Sequence, residues 1–306
     1  MLFLSIFLGL LPSFLLIGLG GLVRGRLSDN AWQGLDRLNF EILFPALLFV
    51  AAASRPIEIA QVITMAPVVW AILGMGLALG WLTRGIGPDR FLDFAGAWQV
   101  TWRFNTALGL VAVGLLQQGG LGEMAVAVGM GVPVANLFAV SALSRGGAMG
   151  LKQTLLKIAL NPFLLASLSG LCVGLLKIQI PQPVLAPLDL LAKAAIPIAL
   201  LSIGATMDWK ALARLNGFSA AISAIKLLAL PAFALTCGVV LGLTPGIASV
   251  LVVFAALPTA SAAHVLASAF GADRRLVATL IAQTTLLSAL SLPLWMTIAE
   301  VVFTQR

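Results

Sequence analysis

The chain has 306 residues, of which 60% are hydrophobic and 9% charged, with a mean hydropathy of +1.08. That balance excludes an ordinary soluble domain and points to a polytopic membrane protein. The net charge of +7 is scattered over short loops instead of gathered into a patch, so it argues for membrane topology and against a nucleic-acid partner.

Apolar runs of about 17–25 residues, the length a helix needs to cross a bilayer, recur along the whole chain. The spacing predicts ten spans, at 2–23, 36–54, 59–82, 91–116, 122–143, 154–176, 186–207, 216–241, 247–270 and 275–300. The first run has no basic segment before it and is long for a signal sequence, so it reads as a retained helix. Arg24, Arg26, Arg37, Arg84, Arg90, Arg145, Lys152, Lys157, Lys210, Arg214, Arg274 and Arg275 fall in loops on one side. Arg55, Lys177, Lys193 and Arg306 fall on the other. The basic side is expected to be cytoplasmic, which puts both termini outside the cytoplasm.

The two halves echo each other. Span two carries Phe44-Pro45-Ala46-Leu47-Leu48 and span seven Ile196-Pro197-Ile198-Ala199-Leu200. Span three has Pro67 followed by Gly74, Gly76 and Gly80; span eight has Pro231 followed by Gly238 and Gly242. Span four breaks its apolar run at Arg103-Phe104-Asn105-Thr106, where span nine has Leu257-Pro258-Thr259-Ala260-Ser261, and Gly119-Gly120 and Gly271 mark the turns that follow. Five spans is an odd number, so the second copy must enter the membrane upside down, as in the inverted repeats of secondary transporters. The expected units are residues 1–143, a cytoplasmic linker at 144–153, and 154–306.

A proline, an asparagine and hydroxyls in hydrocarbon need protein or water to receive the backbone groups they free. Interrupted spans at matching places are where a transporter binds its substrate. A helix restarting at Asn105-Thr106, and another after Pro258-Thr259-Ser261, would aim N–H groups at the midplane, which favours an anion. Arg103, about a dozen residues into span four, is a costly intramembrane charge; it reads as a counter-charge for that anion or as a hub for broken-helix carbonyls. Lys226 is the second deep cation, read either as a substrate contact or as a tether. Candidates for a coupling role are His264, which can titrate near neutral pH, Glu41, and the polar groups Asn136, Gln283 and Thr284; for these, packing and interhelical hydrogen bonds are the competing account. Asn161-Pro162 is a further polar break in span six. Cys172 and Cys237 read as small packing residues, and one histidine with two distant cysteines gives no metal-ligand set. Neither a Gly-Lys-Ser/Thr phosphate loop nor a Gly-x-Ser-x-Gly elbow occurs, so nothing indicates a nucleotide-driven pump or a hydrolase.

The stretches Asn39-Phe-Glu-Ile-Leu-Phe-Pro45, Arg103-Phe-Asn105-Thr106, Val132-Pro133-Val-Ala-Asn136, Asn161-Pro162, Ile196-Pro197-Ile-Ala-Leu and Leu257-Pro258-Thr259-Ala resemble the auxin efflux carrier family. That family includes bacterial malate and malonate permeases and plant auxin exporters, within the bile-acid-symporter-like superfamily. The resemblance implies an all-α fold of ten transmembrane helices in two inverted five-helix repeats. It implies a scaffold domain about helices 1, 2, 6 and 7, and a transport domain about helices 3–5 and 8–10. Helices 4 and 9 would cross at the midplane, and the protein would be a homodimer. The plant exporters have proline at the crossing in both halves, whereas span four here has Asn105 without one.

Deep cations outnumber deep anions, so the expected function is secondary active transport of a small organic anion, such as a mono- or dicarboxylate, by an elevator-like movement. No enzyme activity and no cofactor are expected; the coupling ion would be a proton or sodium, and the location a bacterial inner membrane. A cation/proton antiporter, which would need acidic residues at the crossing, and a non-transporting sensor of the same fold are the alternatives. An intramembrane hydrolase would have to rest on Ser261 and His264, with no acid in that stretch to orient the imidazole.

Overall fold

The computed structural model describes residues 2–53, 59–144, 156, 160, 162–260 and 262–304, and its regular structure is helical, with no strand among those residues. Among the described residues six helices are long and apolar enough to cross a membrane: Leu2–Arg26, Ile59–Ile86, Leu121–Ser144, Gln182–Thr206, Gly217–Val240 and Arg274–Phe303. They correspond to α1 (Leu2–Val23), α4 (Ile59–Trp81), α7 (Leu121–Ser144), α9 (Gln182–Thr206), the pair α10 (Gly217–Ala224) and α11 (Leu230–Val240), and α14 (Arg274–Thr304). The other four expected spans hold shorter pieces: α2 (Asp29–Leu38) with α3 (Phe44–Ala53), α5 (Phe91–Trp98) with α6 (Thr106–Val113), α8 (Pro162–Leu175), and α12 (Pro245–Ala256) with α13 (Ala262–Phe270).

Two proline positions show why the pieces are joined as they are. Pro45 and Pro231 each follow a widened, π-helical turn, at Asn39–Leu43 and Ile225–Ala229. A proline has no N–H to give and its ring crowds the carbonyl four residues back. The backbone answers by opening one turn, so that Phe44 N donates to Asn39 O and Leu230 N to Ile225 O. The carbonyl of Leu227, four residues before Pro231, accepts instead from the Trp295 indole of α14 at 2.8 Å.

Between helices the packing rests on small residues, which let backbones approach where lipid offers no hydrophobic drive. α1 lies along α9 so closely that a Cβ on Gly20 would fall on the carbonyl of Leu201, and one on Gly204 on the carbonyl of Ile17. α8 lies on α3 in the same manner: a Cβ on Gly170 would sit 2.7 Å from the Phe49 carbonyl oxygen. α4 packs on α7, and α12 on α11 and α14. An aromatic stack of Trp81, Phe94, Trp98 and Trp102 runs from the surface to the break in span four, where Trp102 is fully buried and donates to Ala135 O at 3.1 Å. Leu15 and Leu22 of α1 stay 63% and 85% exposed, as lipid-facing side chains would be. Cys172 corrects the sequence reading: it is exposed on α8 and packs into no core.

The turns marked by glycine are real turns. Gly119 and Gly271 take φ of +84° and +76°, a left-handed conformation that glycine adopts without a Cβ clash. At Gly271 this ends α13 and lets Ala272 N return to Ala267 O at 2.9 Å.

Candidate functional site

The two breaks are made differently. In the first, α5 tightens into a 3-10 turn at Gln99–Thr101 and stops; the chain runs through Trp102, Arg103 and Phe104 and restarts at Thr106. No proline is needed, because Asn105 is extended (φ −90°, ψ 101°) and caps α6 by accepting from Leu108 N at 3.2 Å through Oδ1. In the second, Pro258 steers the preceding Leu257 out of the helical region (φ −60°, ψ 138°), ending α12 at Ala256. The helix resumes as α13 at Ala262.

Three hydrogen bonds lace the breaks together, all between buried groups. Asn105 N donates to Pro258 O at 2.8 Å. The Thr259 hydroxyl donates to Val100 O at 2.5 Å. The Gln99 side-chain amide donates to Ala263 O, in the first turn of α13, at 3.0 Å. Backbone groups freed by each interruption thus find partners in the other, which is what a buried non-helical backbone demands.

Arg103 sits at this lacing, 7% exposed. Its Nε donates to Gln99 Oε1 at 2.8 Å and its Nη2 to Asn136 Oδ1 of α7 at 3.0 Å. Both partners are neutral. Among the described residues no carboxylate lies within ion-pair distance of Arg103 or of Lys226. Lys226 occupies the π-helical turn of the second half, is 1% exposed, and points its ammonium at Ala255 O, 3.3 Å away in the last turn of α12. A cation there meets the carbonyl end of a helix whose last carbonyls have no intrahelical partner.

The structure therefore links Arg103 to Asn136, Asn105 to Pro258 and Thr259 to Val100 by separate hydrogen bonds at the two breaks, with Thr106 buried in the first turn of α6. Ser261 lies outside the described residues, as does Asn161. His264 is half-buried in α13, beside the Ala263 carbonyl that Gln99 holds. The remaining candidates make other contacts. Glu41 is a surface residue paired with Arg37 at 2.8 Å, and Thr284 bonds back to Ile281 O at 3.0 Å. Gln283 is buried against the turn Ala211–Arg214, donating to Ala211 O at 2.9 Å, while its Oε1 has no partner among the described residues.

Sequence reasoning passed over Gln99, although its place four residues before Arg103 puts the two on one helical face. It also passed over Glu300, 3% exposed, whose carboxylate accepts from Gln117 N at 2.8 Å and so anchors the loop after α6 to α14. Chemically, the breaks offer guanidinium and amide donors and two helix starts.

Residues 148–296 match a family model described as membrane transport protein. Over 306 aligned residues the chain is 29% identical to a Rhizobium meliloti protein named "Putative malonate transporter", with 91% of each chain covered. It is also 27% identical to a Methanothermobacter thermautotrophicus protein named "Uncharacterized transporter", over 89% of this chain and 91% of that one.

Proposed function

We propose that this chain, a membrane transporter whose matches bear out its resemblance to the auxin efflux carrier family, carries a small mono- or dicarboxylate. The observation that carries this reading is Arg103: a buried guanidinium at the meeting of two broken spans, held by neutral amides and left without a carboxylate partner among the described residues. An unpaired charge is expensive in a low-dielectric interior, and an anionic substrate would relieve that cost each time it binds. The starts of α6 and α13 add partial positive charge from their first turns. The name of the Rhizobium meliloti relative, with its dicarboxylate, agrees with such a site.

The architecture we propose is ten membrane crossings in two inverted repeats, α1 to α7 and α8 to α14, with the breaks of spans four and nine crossing at the midplane. What supports it is that packings recur when the halves are exchanged. α1 on α9 is matched by α8 on α3, and α1 beside α14 by α8 beside α7. The scaffold would be the α1, α2–α3, α8 and α9 group, and the remaining helices would carry the site across by an elevator-like shift. We further propose a homodimer in a bacterial inner membrane, with both termini outside the cytoplasm and a proton or sodium gradient as the energy source. A cation/proton antiporter is disfavoured, because among the described residues the breaks present a guanidinium and no acid.

The test is uptake of radiolabelled malonate, succinate and acetate into proteoliposomes, with pH and sodium gradients imposed separately. Arg103→Met should abolish uptake while leaving helicity and size-exclusion behaviour unchanged. A folded Arg103→Met protein that transports at the unsubstituted rate would overturn the reading.

A further inference from the structure

The guanidinium of Arg103 carries five N–H donors, and two of them are taken by described residues. One goes to Gln99 Oε1 at 2.8 Å and one to Asn136 Oδ1 at 3.0 Å. The two acceptors come from different elements, the 3-10 turn after α5 and the middle of α7, so the plane of the guanidinium is fixed from two directions. Gln99 is itself held at both ends of its amide. Its oxygen faces Arg103 and its nitrogen faces Ala263 O, which decides the amide's orientation and ties the guanidinium to the first turn of α13. It is fully buried, so water cannot substitute for either bond. Asn136 is half-buried, and its amide nitrogen donates to no described residue.

We propose that Gln99 and Asn136 are positioning residues for Arg103, fixing its plane while leaving its charge uncompensated and its remaining N–H groups free to take a carboxylate end-on. This rests on the reading of Arg103 as the anion's counter-charge. The choice of amides is the point of the device. Aspartate at 136 would fit the same space and hold the same donor, but it would supply the negative charge that the substrate is needed to bring; glutamate at 99 would do so too and would lose the donor to Ala263 O. Asn136, whose oxygen is already given to a guanidinium, then serves the anion and coordinates no coupling cation.

The decisive variant is Asn136→Asp, which keeps the shape and the acceptor and adds one negative charge. It is compared with Asn136→Ala and Gln99→Met in the full-length protein reconstituted in nanodiscs. Thermal unfolding is followed without ligand and with malonate, succinate or acetate. Asn136→Asp should lower carboxylate affinity on the order of a hundredfold, since a like charge now stands a few ångströms from the bound anion. Its ligand-free midpoint should stay level with or above that of the unsubstituted protein, whereas Asn136→Ala should lower it. Gln99→Met should weaken affinity while the charge is retained. If Asn136→Asp binds the carboxylates as the unsubstituted protein does, or loses ligand-free stability as Asn136→Ala does, the proposal is overturned. If the unsubstituted protein shows no carboxylate-dependent shift, the transport reading fails, and the ligand-free comparison still decides whether these amides hold an uncompensated charge.

Discussion

Removing the Thr259 hydroxyl should cost stability and leave anion affinity untouched. Thr259 is fully buried, and its hydroxyl donates to Val100 O, itself in a buried residue of the other broken span. Thr259→Val replaces the hydroxyl with a methyl group of nearly the same size, so no cavity opens; what is lost is the donor. The Val100 carbonyl would be left unpaired in the interior, at a cost of about 1–3 kcal/mol. Since no helical hydrogen bond is available to that carbonyl at the end of a 3-10 turn, we expect the upper part of that range. Reversible denaturant titration in mixed micelles measures the change, with Thr259→Ser as the control that keeps the donor. Carboxylate affinity, read in parallel, should change less than about twofold, or about 0.4 kcal/mol. An unaltered unfolding midpoint in Thr259→Val would refute the lacing argument. So would a large loss of affinity at constant stability, which would turn the hydroxyl toward substrate.

Trp295→Phe should destabilise by about 1–2 kcal/mol, because Pro231 gives no N–H to the Leu227 carbonyl that the indole serves. In a Pro231→Ala background the same substitution should cost less, and a double-mutant cycle without coupling would dismiss the link. Lys226→Met should unfold no more easily than the unsubstituted protein, since the burial penalty of the ammonium disappears together with its interaction at Ala255 O. Lys226→Glu places a negative charge at the carbonyl end of α12 and should cost more than about 3 kcal/mol. In transport, Lys226→Met should weaken carboxylate affinity far less than Arg103→Met does; equal losses would move Lys226 from α12's carbonyl end into the anion's field.

Hydropathy made the helices legible: segments of helix occupy each interval that the apolar runs marked out, and both breaks fall where Asn105 and Pro258 interrupt those runs. The partners at the breaks were harder to read. That Gln99 reaches Ala263, 164 residues away, depends on how two spans meet, and a glutamine in an apolar run carries no sign of it. Glu300 sits at the edge of an apolar run and looks like a terminal charge until the loop at Gln117 folds onto it. Asp36 is similar, accepting from the Ser202 hydroxyl of α9. Glu41 went the other way: its neighbour four residues back, Arg37, was visible in the sequence, and that local pair is what forms. Deep polar residues near a break were recognisable because burying them unpaired is costly, whereas the identity of each partner is a property of tertiary packing.

Asparagine at position 105 gives the meeting of the two spans a direction. Proline there would also have interrupted the helix, but it would have had no hydrogen to offer, and the oxygen of Pro258 would have lost that donor. With Asn105 that oxygen is occupied at 2.8 Å. One acceptor that would repel a carboxylate is thereby masked, and the same residue, through its own side chain, starts the next helix. Asparagine at one interruption and proline at the other thus make the two breaks chemically unequal where they are hydrogen-bonded to each other.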